Sequence, residues 1–88
     1  MTWVCELTED AEQDLRKLPK AIQKRVARVL TQMESDPFQG NVKVLHGEEW
    51  KGVYRRRMGD YRLLFVANHK KRTVSVLRVL LRSGKTYR

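Results

Sequence analysis

Four arginines stand within the stretch VYRRRMGDYRLLFVA, residues 53–67: Arg55, Arg56, Arg57 and Arg62, with Asp60 as the one acid among them. A guanidinium is planar, stays charged at any working pH, and donates two parallel hydrogen bonds through its fork, a match for phosphate. Asp60 is also the one acid in residues 51–88, so most of these cations lack a nearby partner in the chain. Strand alternation sorts them: Val53, Arg55 and Arg57 share one side, and Tyr54, Arg56 and Met58 the other. In the following segment Tyr61, Leu63 and Phe65 oppose Arg62, Leu64 and Val66, so Arg62 is the one charge on an otherwise apolar strand. Such an arginine is paired with Asp60 or another carboxylate, or is held partly desolvated for a ligand. Arg57 is open to the same structural reading, and Arg72 and Arg78 read as solvated surface.

Other chemistries find little support. Cys5 is the lone cysteine, and its place in an alternating segment makes it a small core residue rather than a nucleophile. No His, Cys or carboxylate group has metal-ligand spacing, so neither a metal nor a cofactor is expected. His46, with Glu48 and Glu49, falls in a long loop that nothing ties to the arginines. His69 sits in a turn among lysines and reads as exposed. Trp50 reads as a plug in the loop or core.

The elements that position the arginines follow from periodicity. In TWVCEL, Trp3, Cys5 and Leu7 alternate with Thr2, Val4 and Glu6 and predict a strand with the first set facing inward. Thr8 is a candidate N-cap, with Glu9 and Asp10 in the first turn where carboxylates favour the helix dipole. Ala11, Leu15 and Leu18 then form one apolar stripe. Pro19 interrupts it and opens a second helix, striped by Ile22, Val26, Val29, Leu30 and Met33, with Lys20, Lys24, Arg25 and Arg28 on its other face. Asp36-Pro37 ends that helix. Residues 36–50 read as irregular, with a short turn near Val44-Leu45. Three strands follow at roughly 52–58, 61–67 and 73–79, joined by turns at Met58-Gly59-Asp60 and Asn68–Lys71. The expected architecture is one α+β domain over residues 1–88: an N-terminal strand, a helical hairpin and a three-strand antiparallel meander. The helices pack on one face of a curved sheet and leave its other face to arginines.

Charge divides unevenly. The net charge is +9, with −2 over residues 1–50 and +11 over residues 51–88. That asymmetry points to a polyanionic partner. The longest apolar run, Leu63–Ala67, is too short to cross a bilayer, and MTWVCELTED carries acids where a secretory signal needs a basic and then an apolar segment. Cytoplasmic location, with no membrane partner, is the expectation.

Taken in order, the pieces resemble one family. The helix A-x-x-D-L-x-K-L-P (Ala11, Asp14, Leu15, Lys17, Leu18, Pro19), Asp36-Pro37, Leu45-x-Gly47, GDYR before an apolar strand, and the terminal R-x-x-x-x-Y resemble the RelE/ParE superfamily of bacterial toxins, over nearly the whole chain. The resemblance implies a type II toxin restrained by a cognate antitoxin. RelE-like members cut mRNA in the ribosomal A site, and ParE-like members inhibit DNA gyrase. Carried over by motif, Arg62, Arg82, Tyr87 and Arg55 match the catalytic positions of the cutting members; Arg57, Lys85, Arg88 and Lys51 join them as RNA-binding cations. RNA cleavage requires a 2′-oxygen to attack the adjacent phosphorus, cations on the non-bridging oxygens and a donor for the leaving 5′-oxygen. Arg62 and Arg82 suit the middle role, and Lys85 is a better donor than Arg55, which does not give up its proton. Tyr87, with an ordinary pKa near about 10, would be lowered by adjacent arginines or would stack on a base. Leu81 stands where many relatives carry histidine, which leaves the chemistry to Arg, Lys and Tyr. The implied partners are ribosome and mRNA, and an antitoxin whose acidic amphipathic segment folds on the basic face and grips the hairpin. Operator DNA is reached only through that antitoxin.

Overall fold

A computed structural model describes residues 2–81. Strand β1 (Val4–Leu7) leads into helices α1 (Glu9–Arg16) and α2 (Lys20–Ser35), then a short strand β2 (Val42–Val44) and a 3-10 turn at Glu48–Trp50. Strands β3 (Tyr54–Met58), β4 (Tyr61–Asn68) and β5 (Thr73–Leu81) complete one sheet of order β1-β5-β4-β3-β2. β1 runs parallel to β5, and the other neighbours are antiparallel.

The caps explain where the helices begin and end. The Thr8 hydroxyl accepts from the Ala11 N–H at 3.2 Å, and Glu9, Asp10 and Glu12 occupy the first turn of α1, satisfying a donor and complementing the dipole. Pro19 is the cap residue of α2, one position before its first turn. Asp36 closes α2 in an extended conformation ahead of buried Pro37, and its carboxylate accepts from the Phe38 N–H at 3.0 Å.

Both helices pack on one face of the sheet. Val26 and Met33 of α2 and Ala11 of α1 meet Trp3, Met58, Leu63, Phe65, Val74, Val76 and Val79, with Phe65, Leu63, Val74 and Val76 wholly buried. Each such side chain is worth about 1.5–3 kcal/mol of burial. Phe38 extends this core from the loop after α2, edge-on to Trp3 (6.1 Å) and Tyr54 (5.1 Å). His69 is exposed, as the sequence suggests, yet it stacks on Phe38 at 5.5 Å.

Two features depart from the sequence reading. β2 forms inside a stretch expected to be irregular, pairing Val42 with Arg56 and Val44 with Tyr54. Arg78 is exposed, as expected, but it also pairs with Asp14 of α1: its Nε and Nη2 donate to the two carboxylate oxygens at 2.7 and 3.0 Å. The cause is topological. β1 pairs β5 only as far as Val76, while β5 runs on to Leu81, next to a bulge at Leu64/Phe65. Beyond β1, α1 takes over the exposed edge: the Thr8 hydroxyl donates to the Leu77 carbonyl at 3.0 Å, and the Val79 N–H donates to Asp14 at 3.0 Å. A helix thus covers an edge that would otherwise template pairing with another chain.

Candidate functional site

The helices cover the Tyr54, Arg56, Met58 side of β3 and the Tyr61, Leu63, Phe65 side of β4. Arg56 therefore leaves the ligand-binding set. Its Nη1 donates to the Gln39 carbonyl and its Nη2 to Gln32 Oε1, both at 2.9 Å. Its guanidinium lies over Gly40, whose φ of +91° and missing Cβ permit the approach. Arg56 is a staple between β3, α2 and the loop after α2.

Arg55, Arg57 and Arg62 face the opposite, open side. Arg57 stands directly across from Arg62 in the β3–β4 ladder, and Arg55 opposes Leu64. Directly opposed residues have Cα atoms about 4.5–5.5 Å apart, where like charges destabilise a sheet. The three cations are half-buried, not waving in solvent. Arg55 Nη1 and Arg57 Nε are buried without a hydrogen-bond acceptor among the described residues. No ion pair joins Arg57 to Asp60 among those residues, and Asp60 is exposed at the β3–β4 turn. Leu64 and Val53, on this same side, are 0% and 6% exposed, so the cations stand over buried apolar side chains in a partly dry setting. Each orphaned donor costs about 1–3 kcal/mol. An anion with several acceptor oxygens offsets that cost and relieves the repulsion.

Lys43 belongs to this set and was not picked out from the sequence: it lies opposite Arg55 and is exposed. The signal was the V-K-V alternation at 42–44, too short to stand out in a stretch read as a loop. Lys51 is exposed in the turn before β3, at the far end of that strand from the Arg57–Arg62 pair. Arg82, Lys85, Tyr87 and Arg88 lie outside the described residues. Among the described residues, Leu80 is opposite Arg62 and Leu81 opposite Tyr61.

Nucleophile and metal chemistry gain nothing from the geometry. The Cys5 Sγ donates to the Leu30 carbonyl at 3.6 Å, and burial, then the nearby Glu34 charge, push its thiol up. Among the described residues no group of three or more His, Cys, Asp or Glu side chains converges as a metal site, and no helix is long and apolar enough to cross a membrane.

A helical hairpin laid on one face of a five-stranded sheet is a frame with known counterparts. The family model of the ParE toxin of the type II toxin–antitoxin system parDE matches residues 5–85. The chain belongs to that family, a branch of the RelE/ParE superfamily of type II toxins. Among solved structures, it is similar to the toxin–antitoxin complex RelBE2 of Mycobacterium tuberculosis, with a TM-score of 0.83 and 31% identity over 93% of this chain and 100% of that one. The archaeal RelE–RelB complex of Pyrococcus horikoshii gives 0.81 and 28%, over 98% and 100%. The isolated Escherichia coli RelE toxin, at 19% identity and a TM-score of 0.76 over 96% and 88%, shares the fold. A search of curated proteins gave no match.

Proposed function

We propose that this toxin is a ribosome-dependent mRNA endonuclease that cuts in the A site. The observation that carries the reading is the trio Arg55, Arg57 and Arg62 on the open sheet face, with Arg55 Nη1 and Arg57 Nε buried and lacking an acceptor among the described residues. Pre-aimed, partly desolvated guanidiniums are what a pentavalent phosphorane, richer in charge than the diester it comes from, would select. In the reaction the 2′-oxygen bonds to the adjacent phosphorus, its proton leaves, and the 5′-oxygen departs and takes up a proton. Cyclic phosphate and a 5′-hydroxyl result. Arg62, with Arg82, holds the non-bridging oxygens. Tyr87 takes or shares the 2′-proton, and Lys85 protonates the leaving oxygen. Arg55 adds its charge beside the reacting phosphate as the remaining catalytic position, and Arg57, Lys51 and Arg88 bind the flanking strand. The Arg82, Lys85, Tyr87 and Arg88 roles rest on the family resemblance alone.

The whole chain, residues 1–88, acts as one toxin domain in the cytoplasm. A cognate antitoxin holds it inactive, as the M. tuberculosis and P. horikoshii toxins were solved with antitoxins. Its acidic amphipathic segment covers the basic face and grips the α1–α2 hairpin, and operator DNA is bound through the antitoxin. A second reading, a gyrase inhibitor without catalysis, is favoured by the family model, which is that of a ParE toxin. The two separate in a pair of reconstituted assays. The nuclease cuts mRNA on programmed ribosomes, leaves free mRNA intact and leaves gyrase supercoiling untouched. Inhibition of supercoiling without mRNA cuts would overturn the nuclease reading.

A further inference from the structure

The basic surface does not stop at the open face. Round the edge of β3, where the β2 ladder ends at the Arg57 N–H donating to the Asn41 carbonyl (3.0 Å), lies an open cleft of about 350 Å³. Arg25 and Arg28 of α2 line it together with Arg56, Arg57 and Gly59. No carboxylate contributes to its walls. Arg56 is committed to Gln32 and Gln39, but Arg57 Nε is buried without an acceptor, and among the described residues no ion pair engages Arg25, Arg28 or Arg57. Arg25 and Arg28 are one helical turn apart, so they repel each other as well as Arg57.

The site is shaped to keep these charges close. Gly59 has φ +62°, and a Cβ there would meet Arg25 Nη2 at 2.9 Å. The turn is therefore bare where the guanidinium passes over it. Arg57 belongs by register to the open face and also lines this cleft. Arg57 is thus common to both sites, opposite Arg62 on the sheet and lining the cleft that Arg25 and Arg28 also line.

We infer that this cleft is a second phosphodiester site, which holds the backbone of a nucleic-acid strand continuing past the open face. Phosphodiester fits better than an acidic peptide. The apolar walls offer little to anchor a peptide, because Met58 is 5% exposed and Val29, the other apolar wall residue, is half-buried against the core. A helical peptide docks by burying apolar anchors, whereas a phosphate backbone asks only for cations and donors. The inference deepens the nucleic-acid reading of the open face but requires no cleavage chemistry.

The test is binding of a fluorescein-labelled 2′-O-methyl RNA 12-mer, which cannot undergo 2′-oxygen attack, followed by anisotropy from 50 to 300 mM KCl. Arg25→Ala/Arg28→Ala is compared with wild type, and with Lys20→Ala/Lys24→Ala, which removes equal charge from exposed positions of the same helix. Loss of two phosphate contacts on a single strand lowers the slope of log K against log salt by about 1.4. That drop is expected for the arginine pair, with the lysine pair near wild type and circular dichroism unchanged in both. Equal slopes for all three proteins, or equal losses for both double variants, would overturn the site. So would a poly-glutamate peptide that displaces the RNA from wild type at equal concentration of charge. A failed cleft would leave the nuclease reading standing, since no cleavage is measured. A failed nuclease assay would not alter these slopes.

Discussion

Arg56 and Arg57 are adjacent in sequence and opposite in purpose. Arg56 points to the helices and staples Gln32 and Gln39 to β3; Arg57 points away, across from Arg62. Replacing Arg56 with Ala removes two hydrogen bonds from a charged donor and exposes the loop over Gly40. A loss of about 1–3 kcal/mol in urea unfolding is expected, and Lys should recover little because it cannot form the fork. Arg62→Ala should behave differently: it relieves a like-charge pair with Arg57, so its unfolding midpoint should fall less than that of Arg56→Ala. Ribosome-dependent cleavage should fall by about 10²–10³-fold, the usual cost of one well-placed transition-state donor. Period-two alternation separates the two roles in the sequence itself. It does not say which side the helices cover, and Arg56's partners lie 17 and 24 residues away.

At the scale of elements, α1 acts partly as a sixth strand. Its Asp14 serves the free edge of β5 through Arg78 and the Val79 N–H. Burial alone would push the Asp14 carboxyl up, but hydrogen bonds from Arg78 and Val79 and the Arg78 charge outweigh it and hold it below its ordinary value. A carboxyl lowered by folding contributes stability that is complete above its unfolded value near about 4 and is lost as pH falls through the native value. The Arg78 side chain is 45% exposed, so the charge pair itself contributes only about 0–1 kcal/mol. Asp14→Asn should therefore lower stability by about 1 kcal/mol at pH 7, and the gap to wild type should narrow below about pH 4; urea midpoints at pH 7 and pH 3 measure both. This contact was not legible in the sequence because its partners are 64 residues apart and depend on where β1 stops. β2 was hidden for another reason, since three residues are too few to display a period. The helices and the β3–β4–β5 meander were legible because stripes, caps and turn residues agreed along each segment.

For the whole molecule, one core supports one working face. Phe65 is wholly buried and stacks on Tyr54 at 5.5 Å. Phe65→Ala should cost about 3–5 kcal/mol, a large share of the roughly 5–15 kcal/mol that domains possess, and should abolish toxicity by loss of folded protein. Loss of activity in that variant would say nothing about chemistry, which is why Arg62 is the informative position. The charge asymmetry made a polyanionic partner legible, yet the same cations serve RNA cutting and acidic-protein binding equally well at the level of composition. Of the groups given a chemical step, Arg82, Lys85 and Tyr87 were legible only through family resemblance. The central claim is therefore best tested by mapping mRNA 5′ ends by primer extension after tight induction of the chain, beside Arg62→Ala and Tyr87→Phe. New ends confined to translated frames, lost in both variants at equal folded protein, are the expected result. Growth arrest with no new ends, or cuts that persist in Arg62→Ala, would contradict an RNA-cutting face built on these arginines.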